Sequence, residues 1–322
     1  MPSRPSSSRF SLARRPEPSV FAHSFTTMAR PGGERRRRHN LAAAAFTLPA
    51  WILLLALFGI PIAVGVYLST RNATIGSFAP ARSVGLANYR RDVANATFRE
   101  AVRTTILIAG FGLAVQMPMG LGLAVVLHRN LRATRLFRSV LLLPMLLTPV
   151  AIGLMWRFIL DTDLGVANWL LRSLGLGGFD WFGNRHAAVA AIVMVDSWQS
   201  IPFVMLLVLA GLSGLPVEPF EAARMDGAGS WRLLRSLTIP MLRRVLLVIL
   251  LIRLIDVLKL FDLIYILTRG GPGTATQTVG LLNYNTGFNF LQTSRAAAIG
   301  VTVTMLTIPL FLLWRLASRK ET

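Results

Sequence analysis

Six long apolar runs constrain this chain more than anything else in it: Leu41 to Leu68, Thr104 to Leu127, Ser139 to Leu160, Ala187 to Gly211, Val245 to Thr268 and Ala296 to Trp314. A helix of about 17–25 apolar residues crosses a hydrocarbon core of roughly 30 Å. The pattern predicts an all-α, polytopic membrane protein with six transmembrane helices and both ends on one side. With 53% hydrophobic residues and a mean hydropathy of +0.56, the 322-residue chain has the composition of a protein whose solvent is the bilayer.

The 34 Lys and Arg against 14 Asp and Glu sit in short segments between the runs, not along one soluble face. That placement favours membrane topology over nucleic acid. The N-terminal arm, 128–138, 213–244 and the C-terminal tail hold 9, 4, 5 and 3 basic residues, whereas 69–103, 161–186 and 269–294 hold 6, 2 and 1. Twenty-one against nine puts both termini in the cytoplasm. An Arg-heavy, Lys-poor balance suggests a GC-rich bacterial genome. Without cysteine there is neither a disulfide nor a thiolate metal site, and His23, His39, His128 and His186 are too scattered to hold a metal.

Residues 1–40, rich in Pro, Ser and Arg and ending in "ERRRRHN", read as a disordered basic cytoplasmic arm. The transmembrane domain follows at 41–316 and a cytoplasmic tail at 317–322. The first apolar run is too long and too continuous for a cleaved signal peptide, so it spans and stays; Met28 is an alternative start. Prolines at 61, 118, 144, 149, 202 and 309 lie inside the runs, as packing kinks or as gates.

Between the fourth and fifth runs lies "EAARMDGAGSWRLLRSLTIP", Glu221 to Pro240. Pro216 and Pro219 turn the chain before a helix starting around 218–220, and Gly227 and Gly229 interrupt it. Asp226 or Ser230 can cap a second helix, whose Trp231, Leu234, Leu237 and Ile239 would face the bundle. On physical grounds alone this is an amphipathic loop at the membrane interface. Its spacing, however, resembles the EAA loop of ABC-importer permeases: Glu-Ala-Ala, three residues, Gly, nine residues, then Leu-Thr-Ile-Pro, where the family ends in Ile-x-Leu-Pro. "VGLANY" at 84–89, "LLPMLLTPVAIGLMWRFIL" at 142–160, "DSWQSIPFVMLLVLAGLSGLP" at 196–216 and "FDLIYILTRGGPGTATQT" at 261–278 extend the resemblance from about 41 to 316. The branch resembled is the carbohydrate-uptake one, MalF-like, of maltose and glycerol-phosphate type. The resemblance implies the ABC type I importer permease fold, in a bacterial plasma (inner) membrane, with a coupling helix that docks on a cytoplasmic ATPase. Glu221 would pair with a basic group there, Ala222 and Ala223 permit close approach, Asp226 and Gly227 fix the turn, and Pro240 stops the second helix.

The fifth run carries Arg253, Asp256, Lys259 and Asp262 at three-residue intervals with alternating sign. An unpaired charge at the centre of a spanning helix costs about 2.5–3.5 kcal/mol, so these must pair or face water, and each neighbouring couple is in i,i+3 reach. The set is either a self-neutralising ladder or part of a hydrated path. The resemblance puts Arg253 and Asp256 where maltose-type subunits contact sugar, although the family typically has uncharged residues there. On the fourth run, Asp196, Gln199, Ser200 and Phe203, with Trp198, combine polar groups and flat apolar faces suited to a sugar ring; Asp196, Ser200 and Phe203 match substrate-contacting positions of the family. Alternatively, Asp196 pairs with Arg253 or Lys259 and the aromatics are packing. The segment 269–294 reads as an ordered outer loop facing an extracytoplasmic solute-binding protein, and Trp181 with Phe182 either adds to that surface or belongs to an interfacial aromatic belt.

No G-x-x-x-x-G-K-[ST] motif occurs. The chain is therefore expected to be no enzyme and to hold no cofactor, ATP and Mg being bound by an ATPase dimer on other chains. The other expected partners are a second permease subunit, the solute-binding protein, membrane lipid and a small sugar or polyol. Rival readings are a glycerol-phosphate-type importer and a proton-coupled secondary transporter using Asp196 and the fifth-run carboxylates. A membrane enzyme is disfavoured by the lack of a nucleophile and base pair or a metal cluster.

Overall fold

The computed structural model describes residues 46–74, 81–128 and 134–319; the expected arm and residues 320–322 lie outside the described residues. The chain divides between Pro61 and Ile62 into two units. The first described helix, α1 (Phe46–Ser69), contains a π-helical turn at Leu55–Gly59, in which Ile60 N–H bonds Leu55 O. The widening stands just ahead of Pro61, which has no N–H to give.

The expectation of six transmembrane helices is corrected. Among the described residues, three helices are long and apolar enough to cross a membrane: α1, α3 (Ala96–His128) and α7 (Arg185–Ser213). They become four if the pair Leu136–Leu146 and Pro149–Ile159, bent by 97°, counts as one span. That pair, within α4 (Thr134–Leu146) and α5 (Pro149–Ile159), is the third apolar run. It breaks because the residue before a proline is pushed out of the helical region. Thr148 is extended (φ −69°, ψ 144°), and its hydroxyl accepts the Ala151 N–H to cap α5.

The fifth run breaks as well, into α11 (Arg243–Leu258) and α12 (Asp262–Leu267). Its charges explain where. Lys259 occupies the C-terminal cap of α11 and Asp262 the first turn of α12, each at the helix end whose partial charge it complements. Leu260 O, freed by the break, accepts Thr278 Oγ1–H at 3.1 Å. The sixth run lies in α14 (Thr293–Arg319), which is not among the three; several side chains of its last turns lie outside the described residues.

Shorter elements connect these. The all-α expectation also misses a two-stranded antiparallel pair, β1 (Arg71–Asn72) with β2 (Arg82–Ser83). The "VGLANY" stretch leads into α2 (Ala87–Ala94) and holds the chain there. Asn88 donates to Ser69 O and Arg71 O at 2.8 Å, and Tyr89 OH to Ser69 Oγ at 2.7 Å. Asp92 of α2 pairs with Arg295 of α14 at 2.6 Å. Burial pushes its carboxyl up, against the hydrogen bond and charge of Arg295. In α6 (Val166–Ser173) the buried Asn168 donates to Thr162 O and Phe179 O and accepts the Trp181 indole N–H at 3.1 Å. Trp181 and Phe182 are half-buried against the core.

Of three apolar clusters among the described residues, one joins the start of α3 (Phe98, Ala101) to Val279, Leu282 and Ile299, and the other two lie along α3 and α7. The first of these two joins Ile108, Ile152, Ile192, Val195, Val257 and Ile264; the second joins Ala124, Val204, Met205, Val208, Leu242 and Ile249. Pro118 and Pro202 lie inside α3 and α7, whose helical course continues past them. Close approach is set by Gly120, where an added Cβ would lie 2.5 Å from Val204 Cγ1.

Candidate functional site

Between the two apolar clusters along α3 and α7 lies one polar layer. Gln116 sits between Ala109 and Ala124 on α3, Asp196 and Ser200 between Val195 and Val204 on α7, and Arg253 between Ile249 and Val257 on α11. Arg253 Nη2 donates to Asp196 Oδ2 at 3.0 Å and Oδ1 at 3.2 Å, and its Nε donates to Gln116 Oε1 at 3.0 Å. Gln116 Nε2 closes the triangle by donating to Asp196 Oδ2 at 2.7 Å, and Ser200 Oγ donates to Asp196 Oδ1 at 3.4 Å. Three helices are thus tied by a charge-assisted network whose members are nearly sealed from solvent.

This layer forms one wall of a cavity of about 340 Å³. All six residues expected to line a solute path, Asp196, Gln199, Ser200, Phe203, Arg253 and Asp256, line it, joined by Lys259, Phe261 and Asp262. The pairing of Asp196 with Arg253 also realises the structural alternative for that carboxylate. Trp198 lies elsewhere, edge-on to Trp156 at 5.6 Å, and lines a different, apolar groove between α3 and α7.

Of the expected ladder, only the first rung forms: Arg253 Nη1 to Asp256 Oδ2 at 3.4 Å. Among the described residues no ion pair joins Lys259 to Asp256 or Asp262, because the helix ends at Leu258 and the three-residue register is lost there. Asp256, with its side chain 52% exposed, and the exposed Lys259 and Asp262 therefore present their polar ends to the cavity and not to each other. Gln116 was not among the expected site residues. Its signal was present, as an amide inside the second apolar run.

The Glu221 segment forms a second candidate surface. Helix α8 (Glu218–Met225) carries Glu221, Ala222 and Ala223 and closes on Gly227 at φ +78°, with Ala228 N–H bonding Ala223 O at 2.9 Å. A left-handed residue there suits glycine. The next helix, α9 (Ser230–Leu233), has Gly229 at its cap; neither Asp226 nor Ser230 caps it. Pro240 does not stop the chain's helical course, which continues through a π turn at Leu234–Thr238, α10 (Ile239–Met241) and α11. Trp231, expected to face the bundle, is instead 73% exposed, and Met225 is 88% exposed.

Residues 116–321 match the family described as "Binding-protein-dependent transport system inner membrane component". A probable ABC transporter permease, y4oQ of Sinorhizobium fredii, is 35% identical over 88% of this chain and 92% of its own length. The trehalose/maltose transport system permease MalF of Thermococcus litoralis is 34% identical over 74% of this chain and 80% of its own. The sulfoquinovosyl glycerol transport system permease SmoG of Agrobacterium fabrum is 33% identical over 84% and 87%. Among solved structures, a chain of a bacterial ABC transporter involved in alginate import superposes with a TM-score of 0.76 at 20% identity, over 90% of this chain and 99% of that one. The chain belongs to this family of transport-system inner-membrane components: it is a non-catalytic, multi-pass permease subunit of an ABC importer, with ATP hydrolysed on a separate ATPase subunit.

Proposed function

We propose that this chain forms the translocation path for a sugar or related polyol, as a MalF-like subunit of the carbohydrate-uptake branch. The observation that carries the reading is the cavity at the α11–α12 break, where carboxylates, an amide, a hydroxyl and a lysine meet the aromatic faces of Phe203 and Phe261. Sugars have polar edges and apolar C–H faces, and a discontinuous helix beside a cavity is a recurrent way to place such a site within a membrane. The sugars named for the Thermococcus and Agrobacterium relatives support the same class. A glycerol-phosphate-type substrate fits less well. Arg253 is occupied by Asp196, Gln116 and Asp256, and three carboxylates line the cavity against two cations.

In the same reading the exposed helix α8 docks on the cytoplasmic ATPase dimer. Glu221, Ala222, Ala223, Asp226 and Gly227 form the contact and turn, and Met225 and Trp231 are covered by that partner. The basic-residue count supports both termini lying on that side. A second permease and an extracytoplasmic solute-binding protein complete the assembly. Transport follows when closure of the ATPase pulls the coupling helices together and the bundle changes the side to which it opens.

The test is to tag the chain in its native membrane, identify stoichiometric partners by mass spectrometry, and measure uptake of labelled neutral sugars by the recovered complex. An ATPase and a second EAA-bearing permease, with sugar uptake, are expected. Reproducible recovery of this chain alone, still active in uptake, would overturn the coupling assignment and restore the proton-coupled alternative.

A further inference from the structure

The cavity does not end at Lys259. Phe261, on its rim, begins a run of four aromatic rings. Phe261 stacks on Tyr265 of α12, with centroids 5.4 Å apart and planes at 29°, and meets Tyr284 at 4.7 Å. Tyr284, at the end of α13 (Val279–Tyr284), meets Tyr265 edge-on at 5.5 Å and stacks on Phe288 at 5.2 Å. Phe288 lies in the π turn Asn285–Asn289. Thr278 and Leu260, joined by a hydrogen bond, bring α13 beside the helix break and so beside the cavity.

Core packing accounts for one side of Phe261 and Tyr265, which lie against the cluster around Ile264, and not for Tyr284 or Phe288. Phe261, Tyr265 and Tyr284 keep half-buried faces and Phe288 is 70% exposed. Among the described residues, neither tyrosine hydroxyl has a hydrogen-bond partner, and neither is a sealed orphan. Two unpaired phenols near a polar cavity leave donors and acceptors free for a ligand.

We propose that Phe261, Tyr265, Tyr284 and Phe288 form a second, carbohydrate-stacking subsite. It leads a neutral pyranose from the 269–294 segment to the charged cavity. The ring's C–H face lies on the aromatic faces and its hydroxyls bond the Tyr265 and Tyr284 phenols. No charged side chain belongs to the run, so it selects for flat apolar faces and not for acidic groups. The inference rests on the sugar-path reading.

The test uses the whole importer in proteoliposomes with saturating solute-binding protein, and a panel of ¹⁴C-labelled neutral mono-, di- and trisaccharides. Sugar imported per ATP hydrolysed is compared for wild type, Tyr265→Leu, Tyr284→Leu, Tyr284→Phe and Phe288→Leu. Each Leu variant should lower that ratio about 5- to 10-fold, the worth of a lost aromatic contact, with ATP hydrolysis within about twofold of wild type; Tyr284→Phe should stay within about threefold. Phe288, being exposed, keeps the test decisive if a tyrosine variant fails to assemble. Unchanged ratios in the Leu variants that assemble, with wild-type sugar uptake intact, would overturn the aromatic subsite and leave the path reading standing. Wild type that imports none of the panel would overturn both.

Discussion

We predict that Asp196→Ala destabilises the protein by about 3–5 kcal/mol, the range for stranding one partner of a buried ion pair. The substitution removes the acceptor of two Arg253 bonds, at 3.0 and 3.2 Å, and of one Gln116 bond at 2.7 Å. The guanidinium, with its side chain 8% exposed, keeps only Asp256 as an ion-pair partner, at 3.4 Å. Insertion scales give about 2.5–3.5 kcal/mol for a cation at a helix centre, so the two routes agree near 3 kcal/mol. A neutral interhelical hydrogen bond, at about 0.6 kcal/mol, could not produce an effect of that size. The double variant Asp196→Leu with Arg253→Met should recover to within about 1 kcal/mol of wild type, because apolar replacement of a whole buried pair is often neutral. Reversible denaturation in mixed micelles, read as a double-mutant cycle, measures all of this. The reasoning fails if Asp196→Ala costs under about 1 kcal/mol, or if the double variant is as unstable as the sum of the singles.

Gly120→Val should disrupt the α3–α7 contact, since even a Cβ there would lie 2.5 Å from Val204. A loss of about 1–3 kcal/mol is expected from overpacking, and wild-type thermal stability of the variant would contradict the close approach. Glu221→Lys and Gly227→Pro should leave membrane insertion intact while ATPase co-purification and uptake fall at least about tenfold; normal uptake in both removes the coupling role. Asp256→Asn, at a half-exposed carboxylate on the cavity, should reduce uptake about 5- to 20-fold with a stability change under about 1 kcal/mol. Unchanged affinity and rate would take Asp256 out of the path. A cysteine introduced into 213–244 should resist impermeant maleimide in sealed cells, and labelling from outside would reverse the assigned orientation.

Much of the site was legible before any fold. Charges and polar groups inside apolar runs are costly enough in lipid that they must be used, and this singled out Asp196, Gln199, Ser200, Arg253 and Asp256 without coordinates. The helix beginning at Glu218 was legible from Pro216 and Pro219, and the turn at Gly227 from the glycines. Gln116 was not, because a lone amide in an apolar run has no visible partner until α3 is laid against α7 and α11. Trp231 was misread because amphipathic spacing specifies that one face is apolar, and not that this chain supplies what covers it.

What the sequence determined by itself is the solvent: long apolar runs with basic segments between them require a helical membrane chain, since lipid leaves no other partner for the backbone. What only the tertiary structure decided is which runs stay continuous. Hydropathy is a sum over a window and is blind to where a helix can end well. The third run ends at Thr148, where a following proline and a hydroxyl cap favour a turn. The fifth ends at Lys259, where opposite charges match two helix ends and Thr278, far along the chain, takes up the freed carbonyl. That last bond joins residues distant in sequence, and only the folded chain could bring them together to open a cavity at the break.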